Sequence, residues 1–412
     1  MYLDWSACYN HSMAENVKKA DVLILGAGAS GLMCASLAAF RGQKVIVLDH
    51  SPRLARKVLV SGGGRCNFTN TNADASHYIS SNPQFLRSAL ARYKPEDALA
   101  YLDAHNIKYE VRQEGRVFLR KSAAEVSDAL LSDCKSAGVT IVLSAQINSV
   151  GHSDHVFTVK TSKGEFAGNQ LVIALGGRSW KSIGATGFGY QLARQFGHSV
   201  TELRPGLVPF VLGAKGNPFK GLSGVSFTAE VAVNAGSKQR AFTDEVLVTH
   251  RGLSGPAILQ ASSFWQDGKS IRLNLLPAID VLSWLTENRE RRMELKNLLS
   301  ERFPKRLAHA LADHLGGSNP MNSYAEKTLK KFALTISSME LYPNATEGFP
   351  NAEVTVGGVD TKDISSKTME SQIQPGLFII GEVLDVTGEL GGYNLHWAWA
   401  SAQATGGAIG PF

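Results

Sequence analysis

The chain is poor in cysteine, has no long apolar run and carries little net charge, and each shortage excludes something. Its four cysteines, Cys8, Cys34, Cys66 and Cys134, are scattered and form no C-x-x-C pair. A disulfide framework and a cysteine-built zinc site are thereby excluded, and a reducing cytoplasm is the expected compartment. No stretch approaches the roughly 18 continuous apolar residues of a membrane helix, so no membrane partner is expected. His309 and His314 lie five apart rather than in H-E-x-x-H spacing, and no metal is expected. No G-x-S-x-G nucleophile elbow occurs. The formal net charge is only +6 over 412 residues. The densest basic run, Arg289 with Arg291 and Arg292, is interrupted by Glu290 and followed by Glu294, which reads as a solvated helix face. With no concentrated basic face, no nucleic-acid partner is expected. The N-terminus lacks the basic-then-apolar order of a secretory signal. Residues 1–19 read as a flexible extension, with Met13 as an alternative start.

What is present is glycine, 40 residues of it, in a chain that is 44% hydrophobic and 19% charged, the profile of a folded protein. The apolar run Asp21-Val-Leu-Ile-Leu25 suits a buried parallel strand, and Gly26 and Gly28 end it. A small-residue helix over 30–40 and a strand over 45–48 complete a βαβ unit. Further along, periodicity predicts helices over 83–91, 95–104 and 123–137, and strands over 107–110, 116–119 and 139–143. A hairpin is expected from 156–160 and 165–166, and a separate apolar strand over 171–175. Proline and glycine punctuate 203–210. Strand-like alternation then fills 225–248, and a charged helical stretch runs over 277–336. After Pro350 the glycine turns return, with an apolar strand over 377–380.

Gly26-Ala-Gly28-Ala29-Ser30-Gly31 is a complete G-x-G-x-x-G between strand and helix. Gly26 permits the tight turn, Gly28 lets backbone approach a pyrophosphate, and Gly31 lets helix and strand pack closely. The helix start supplies N–H donors and a positive dipole end. Asp49, at the end of the second strand and 18 residues beyond Gly31, is placed to hold ribose hydroxyls. Its charge would repel a 2′-phosphate, so FAD or NAD is expected here rather than NADP.

The segments that follow are more specific. Arg56-Lys57, then Ser61-Gly62-Gly63-Gly64-Arg65-Cys66-Asn67, then Thr69-Asn70 form one block. Gly176-Gly177-Arg178-Ser179, Gly184 to Tyr190, Thr249-His250 to Pro256 and Glu353 to Val359 form others. Gly381-Glu382 to Asp385 and Gly391-Gly392-Tyr393-Asn394 close the series. This order of blocks, from about Ala20 onward, resembles the HI0933-like flavoproteins, also described as the BaiN or YhiN family. The chain departs from the family pattern at Trp180, where a proline is usual, and at His396, where a glutamine is common.

The resemblance implies an α/β protein with a Rossmann-like FAD/NAD(P)-binding domain, discontinuous in sequence, with inserted β-barrel-like and small helical domains. On that basis the FAD domain spans 20–202 and 357–412, the β domain 203–276 with a return segment over 337–356, and the helical insert 277–336. Similar proteins are labelled NAD(P)/FAD-dependent oxidoreductases or aminoacetone-oxidase-like, and some relatives are linked to enone reduction in bile-acid intermediates. The implied cofactor is FAD, with NADH or NADPH as a transient donor, although no second G-x-G-x-x-G marks a site for it.

The loop from Gly62 to Asn67 combines exposed backbone donors with Arg65, which can neutralise phosphate or electron-rich flavin. Cys66 has no resolving cysteine nearby and reads as packing or flavin contact. Gly176 and Gly177 can pass beneath a dinucleotide. The resemblance favours Asp385 as an FAD ligand, with Glu382 binding FAD or fixing the fold. Gly381, Gly391, Gly392, Tyr393 and Asn394 can bring donors to the flavin ring. His250 is the foremost acid/base candidate, as a histidine that titrates near neutrality, though a hydrogen-bonded domain-junction histidine is equally consistent. His396 and Tyr393 are further candidates. The expected activity is hydride transfer from NAD(P)H through flavin N5 to an unsaturated small organic substrate. A flavin-dependent amine oxidase and an RNA-associated or regulatory flavoprotein with structural FAD are the alternatives. No oligomeric state is specified.

Overall fold

The computed structural model describes residues 17–213, 217–236 and 238–410. Residues 1–16, with Cys8 and Met13, lie outside them. The expected extension ends sooner than its sequence suggests, because the first strand already begins at Lys18 and runs to Leu25. Lys18 and Lys19 have partners in the neighbouring strand, and the backbone ladder outweighs their polar side chains.

That strand is central in a seven-stranded sheet. Val45–Leu48 pairs parallel on one side, with Thr140–Val142 beyond it. Gly164–Ile173 pairs parallel on the other. The hairpin arm and the apolar strand expected over 165–166 and 171–175 are one continuous ten-residue strand. Its first half pairs antiparallel with Val156–Thr161 and its second half parallel with Leu377–Ile379. Gly168 sits in the middle, where a β-carbon would come within 3.0 Å of Leu23. The two strands are therefore close enough to pair where the intervening polar residues suggested a break.

Two buried helices pack against each other, the first of them on this sheet. Ala29–Phe40 follows the glycine turn, and Tyr393–Gly406 closes the described chain. Both are buried nearly all round, so neither shows the one-sided apolar stripe of a surface helix. The closing helix is fixed by its tryptophans. Trp397 Nε1 donates to the Gly381 carbonyl at 3.1 Å, and Trp399 Nε1 to the Phe68 carbonyl at 2.9 Å. The Trp399 ring stacks on Phe68 with centroids 5.0 Å apart.

The chain leaves this body through Arg204–Gly206 and returns through Val354–Val356, and those two strands pair with each other. Between them lies a seven-stranded antiparallel sheet built round the long hairpin Ser226–Ala235 and Lys238–Val248. Helices Val281–Glu287, Leu295–Leu299, Lys305–His314 and Glu326–Ser337 follow. The sheet and the helices share one hydrophobic core, in which Val231, Leu253 and Leu273 pack with Leu285, Leu298, Leu307 and Phe332. The β and helical segments, set apart in the sequence reading, are thus one body, because neither covers its apolar face alone. A second core underlies the parallel sheet. Arg116 of the first body pairs with Asp244 of the second at 2.6 Å.

No described helix is long and apolar enough to cross a membrane. Replacing Trp399 with alanine removes the stacked ring and its hydrogen bond. A loss of about 3–5 kcal/mol is expected for such a core truncation, read as a lower denaturant midpoint.

Candidate functional site

A cavity of about 560 Å³ opens at the end of the parallel sheet where the first strand turns into its helix. The turn is built by close backbone approach. At Gly26, φ is +110°, and a β-carbon would lie 2.4 Å from the Ala174 carbonyl oxygen. A β-carbon on Gly31 would lie 1.9 Å from the Gly26 oxygen. Gly28 is different: a β-carbon there meets nothing within 4 Å, so this glycine faces open space. Gly26, Gly28, Ala29 and Ser30 line the cavity, whereas Gly31 packs behind it.

Asp49 lines the same wall. One carboxylate oxygen accepts from Ala27 N at 2.6 Å and the other from Ser51 N at 2.7 Å, which fixes its orientation toward the glycine turn. Two of the longer helices begin at the cavity. The first has Gly28 as N-cap and the second Gly392, and neither has a side-chain cap. Their leading N–H groups are therefore left for a ligand.

The glycine-rich loop contributes Ser61, Gly62, Gly63 and Asn67 to the lining. Asn67 Oδ1 is buried with no hydrogen-bond partner. Gly64, Arg65 and Cys66 do not line the cavity. Arg65 instead lies 3.6 Å from Glu110. Cys66 is fully buried, and burial pushes its thiol up to about 12, so it stays protonated at neutral pH.

Arg56, Lys57, Gly176, Gly177 and Glu382 line the opposite side. Lys57 Nζ reaches Glu382 Oε2 at 2.7 Å and Ser179 Oγ at 2.9 Å. Glu382 Oε1 accepts from Thr355 N at 3.1 Å. Asp385 stands away from the cavity and accepts from Ser81 N at 2.9 Å. Gly381 packs against Ser30, where a β-carbon would come within 2.7 Å of Oγ. Gly391, Gly392 and Asn394 line the cavity. The Asn394 amide also bridges both backbone groups of Gly388, at 2.9 and 2.8 Å.

The three acid/base candidates do not converge here. His250 is exposed in the turn between Lys238–Val248 and Gly252–Ser254, outside the cavity lining. Tyr393 is buried and stacks on His77 at 4.6 Å, and burial raises its phenol well above the usual value. His396 is fully buried; its Nδ1 lies 2.8 Å from Thr69 Oγ1, and Nε2 has no partner. Burial pushes His396 down to about 4, so it is neutral at physiological pH.

Sequence reasoning missed Arg116, Phe118, Glu353 and Glu389, all of which line the cavity. Glu353 was in view within the block running to Val359, where its strand was taken only as a return path. Glu389 carried no signal; it is held by His77 Nδ1 at 2.8 Å.

A ligand filling this space meets a carboxylate beside a glycine turn, two uncapped helix starts and an orphaned buried amide oxygen. A dinucleotide carries a hydroxyl-bearing ribose for the carboxylate, phosphates for the helix ends and ring N–H donors, so the residues fit one. The class so defined is the Rossmann-type flavoprotein oxidoreductases. The chain belongs to the HI0933-like family, whose model, the HI0933-like protein Rossmann domain, matches residues 20–408.

Among curated proteins, the chain is 41% identical over 394 residues to the ribosomal RNA dihydrouridine synthase of Escherichia coli strain K12, covering 94% of this chain and 97% of that one. It is 39% identical over 389 residues to the Haemophilus influenzae protein of the same name, covering 93% and 96%. A 3-dehydro-bile acid delta(4,6)-reductase of Clostridium scindens is 30% identical over 404 residues, covering 93% and 98%. Among solved structures, a 3-ketosteroid-delta4-(5alpha)-dehydrogenase from Rhodococcus jostii RHA1 aligns with 97% of this chain and 99% of its own at a TM-score of 0.48 and 13% identity. The expectation of no nucleic-acid partner is corrected here, since two relatives are named for ribosomal RNA. That expectation rested on average charge and on runs along the sequence, whereas an enzyme that reads one base does so through a pocket assembled from distant segments.

Two measurements test this site. Asp49→Ala is expected to weaken FAD binding by about 10-fold or more, the loss of a charge-assisted hydrogen bond, in a fluorescence titration of apoprotein. His396 binds its proton in the unfolded chain near pH 6.5 but in the folded chain only near 4. Its contribution is therefore full above 6.5 and lost as pH falls toward 4, by about 3 kcal/mol at most. His396→Gln is expected to flatten that part of the stability–pH curve.

Proposed function

We propose that this protein is an FAD-dependent, NAD(P)H-linked cytoplasmic reductase that saturates a carbon–carbon double bond conjugated to a carbonyl, and that its substrate is a uridine of ribosomal RNA. The carrying observation is the 41% identity, over nearly the whole of both chains, to a protein named ribosomal RNA dihydrouridine synthase. The name of the bile-acid reductase supports the reaction class. Dihydrouridine and a reduced steroid enone share nothing in shape, but both arise by adding hydride and a proton across a C=C bond next to a carbonyl.

The cavity suits that chemistry. Asp49 would hold the ribose of the adenosine half, and the start of Ala29–Phe40 would hold the pyrophosphate. The start of Tyr393–Gly406, with Gly391, Gly392 and Asn67, would hold the flavin ring. When bound, reduced flavin supplies the hydride, and with it two electrons. Leu207 and Glu353, beside the ribbon that joins the two bodies, line the same cavity, and substrate would enter on their side. A uracil buried in a base stack cannot reach such a cavity, so the target nucleotide enters unstacked.

The test has two stages. Anaerobic mixing of FAD-loaded protein with NADH or NADPH is expected to bleach the visible flavin band with at least one donor, and no bleaching with either would remove the nicotinamide link. The reduced protein is then given unmodified ribosomal RNA made by transcription. Mass spectrometry of the digested RNA is expected to show a uridine heavier by two hydrogens. Bleaching with no such nucleoside would turn the reading toward another unsaturated acceptor.

A further inference from the structure

Four carboxyl side chains line the cavity: Asp49, Glu353, Glu382 and Glu389. Three are committed. Asp49 accepts two backbone N–H bonds, Glu382 is held by Lys57, Ser179 and the Thr355 N–H, and Glu389 is held by His77. Of the four, Glu353 alone has no hydrogen-bonded or ion-paired partner for its side chain among the described residues. Its backbone, by contrast, is fixed. Its N–H donates to the Leu207 carbonyl at 3.2 Å, and its carbonyl accepts from Ser179 Oγ at 3.2 Å. Buried Ala352 and Val354 flank it on either side. A carboxyl without a partner among the described residues, on a hydrogen-bonded backbone at the wall of the cavity, is available to a ligand.

We infer that Glu353 is the proton donor of the reaction proposed above, on which this assignment rests. One carbon of the substrate's double bond takes hydride from reduced flavin, forming a C–H bond. The negative charge that develops is carried toward the conjugated carbonyl. The neighbouring carbon takes a proton from the Glu353 carboxyl, and the O–H bond breaks. The product gains two hydrogens and two electrons, the flavin is left oxidised and is reduced again by the nicotinamide donor, and Glu353 is left as a carboxylate that recovers its proton from water.

The environment shifts Glu353 toward holding its proton. Desolvation raises the Glu353 carboxyl above its usual range, opposed by the charge of Lys57. The opposing pull is limited because Lys57 is already bound to Glu382 at 2.7 Å. After proton donation, the same ammonium stabilises the carboxylate that forms. Lys57 is the charged group that acts on Glu353, and Glu382, beside Lys57, is the group that shares it. His50 also lines the cavity, but its ring lies beside Asp49, with Nε2 3.0 Å from the Gly184 carbonyl oxygen. His396 is neutral and sealed away, and His250 is exposed outside the lining.

The test uses FAD-loaded wild type, Glu353→Gln and Glu353→Asp. In rapid mixing with transcribed ribosomal RNA, Glu353→Gln is expected to slow reoxidation of the reduced protein by about 10²–10⁴-fold, the usual contribution of a general acid. The loss falls on reoxidation rather than on bleaching by nicotinamide, and Glu353→Asp recovers part of it. The wild-type reoxidation rate falls as pH rises through the Glu353 titration, because the acid must be protonated, and the glutamine variant loses that limb. An independent readout needs no turnover. In wild-type-minus-Gln infrared difference spectra, a protonated-carboxyl band is expected to persist to higher pH than an ordinary glutamate, near 4.3, would allow. Full-rate reoxidation in Glu353→Gln, or a band that titrates at the ordinary value, overturns the assignment. Should wild type fail to reduce RNA at all, the substrate reading falls, and the infrared titration alone decides the role of Glu353.

Discussion

The nucleotide-binding body depends on one close approach, between the first helix of the described chain and the last. Gly406 presses so near to Ala29–Phe40 that a β-carbon on it would lie 2.6 Å from Cβ of Leu37. That contact brings the closing helix into the centre of the body, and its own start, at Gly392, to the same cavity as the start of the first helix. Trp397 and Trp399 then tie it to the Gly381 and Phe68 backbones. Two segments separated by most of the chain thus make one site. Loosening either helix would move its uncapped N–H groups relative to the other, and the distance between the two ends of a bound dinucleotide would no longer be fixed.

Charge at the site is handled by pairing. Of the acids that line the cavity, those bonded to backbone N–H, lysine or histidine act as struts, and the one left free is available for chemistry. The same residue type serves as scaffold or reagent according to what stands beside it. A carboxylate's pKa responds to desolvation and partners rather than to its place in a motif.

This explains which parts of the architecture were legible in the sequence. Local features read well. The apolar run ending at Gly26, the small-residue helix after it and Asp49 at the close of the next strand all lie within a stretch whose geometry is set by near neighbours. Gly164–Ile173 was harder, because its continuity depends on how closely Gly168 lets it approach Leu23, a contact across more than a hundred residues. The shared core of the antiparallel sheet and the helical segment was illegible for a similar reason: the alternating and helical patterns gave two textures but not the fact that they cover each other. Glu353 was in plain view within a recognised block, but its freedom shows only once Glu382 is seen to have taken Lys57.

The chain passes between the two bodies through one two-stranded ribbon, Arg204–Gly206 with Val354–Val356, and Arg116 and Asp244 pair across them. Everything between those strands folds round its own core, so it can be remodelled while the nucleotide-binding body keeps its packing. Glu353 stands at the foot of that ribbon, on the chain's way back. Among the described residues none from 208 to 352 lines the cavity, so a change inside the insert reaches the site through the ribbon, by shifting where it sets Glu353.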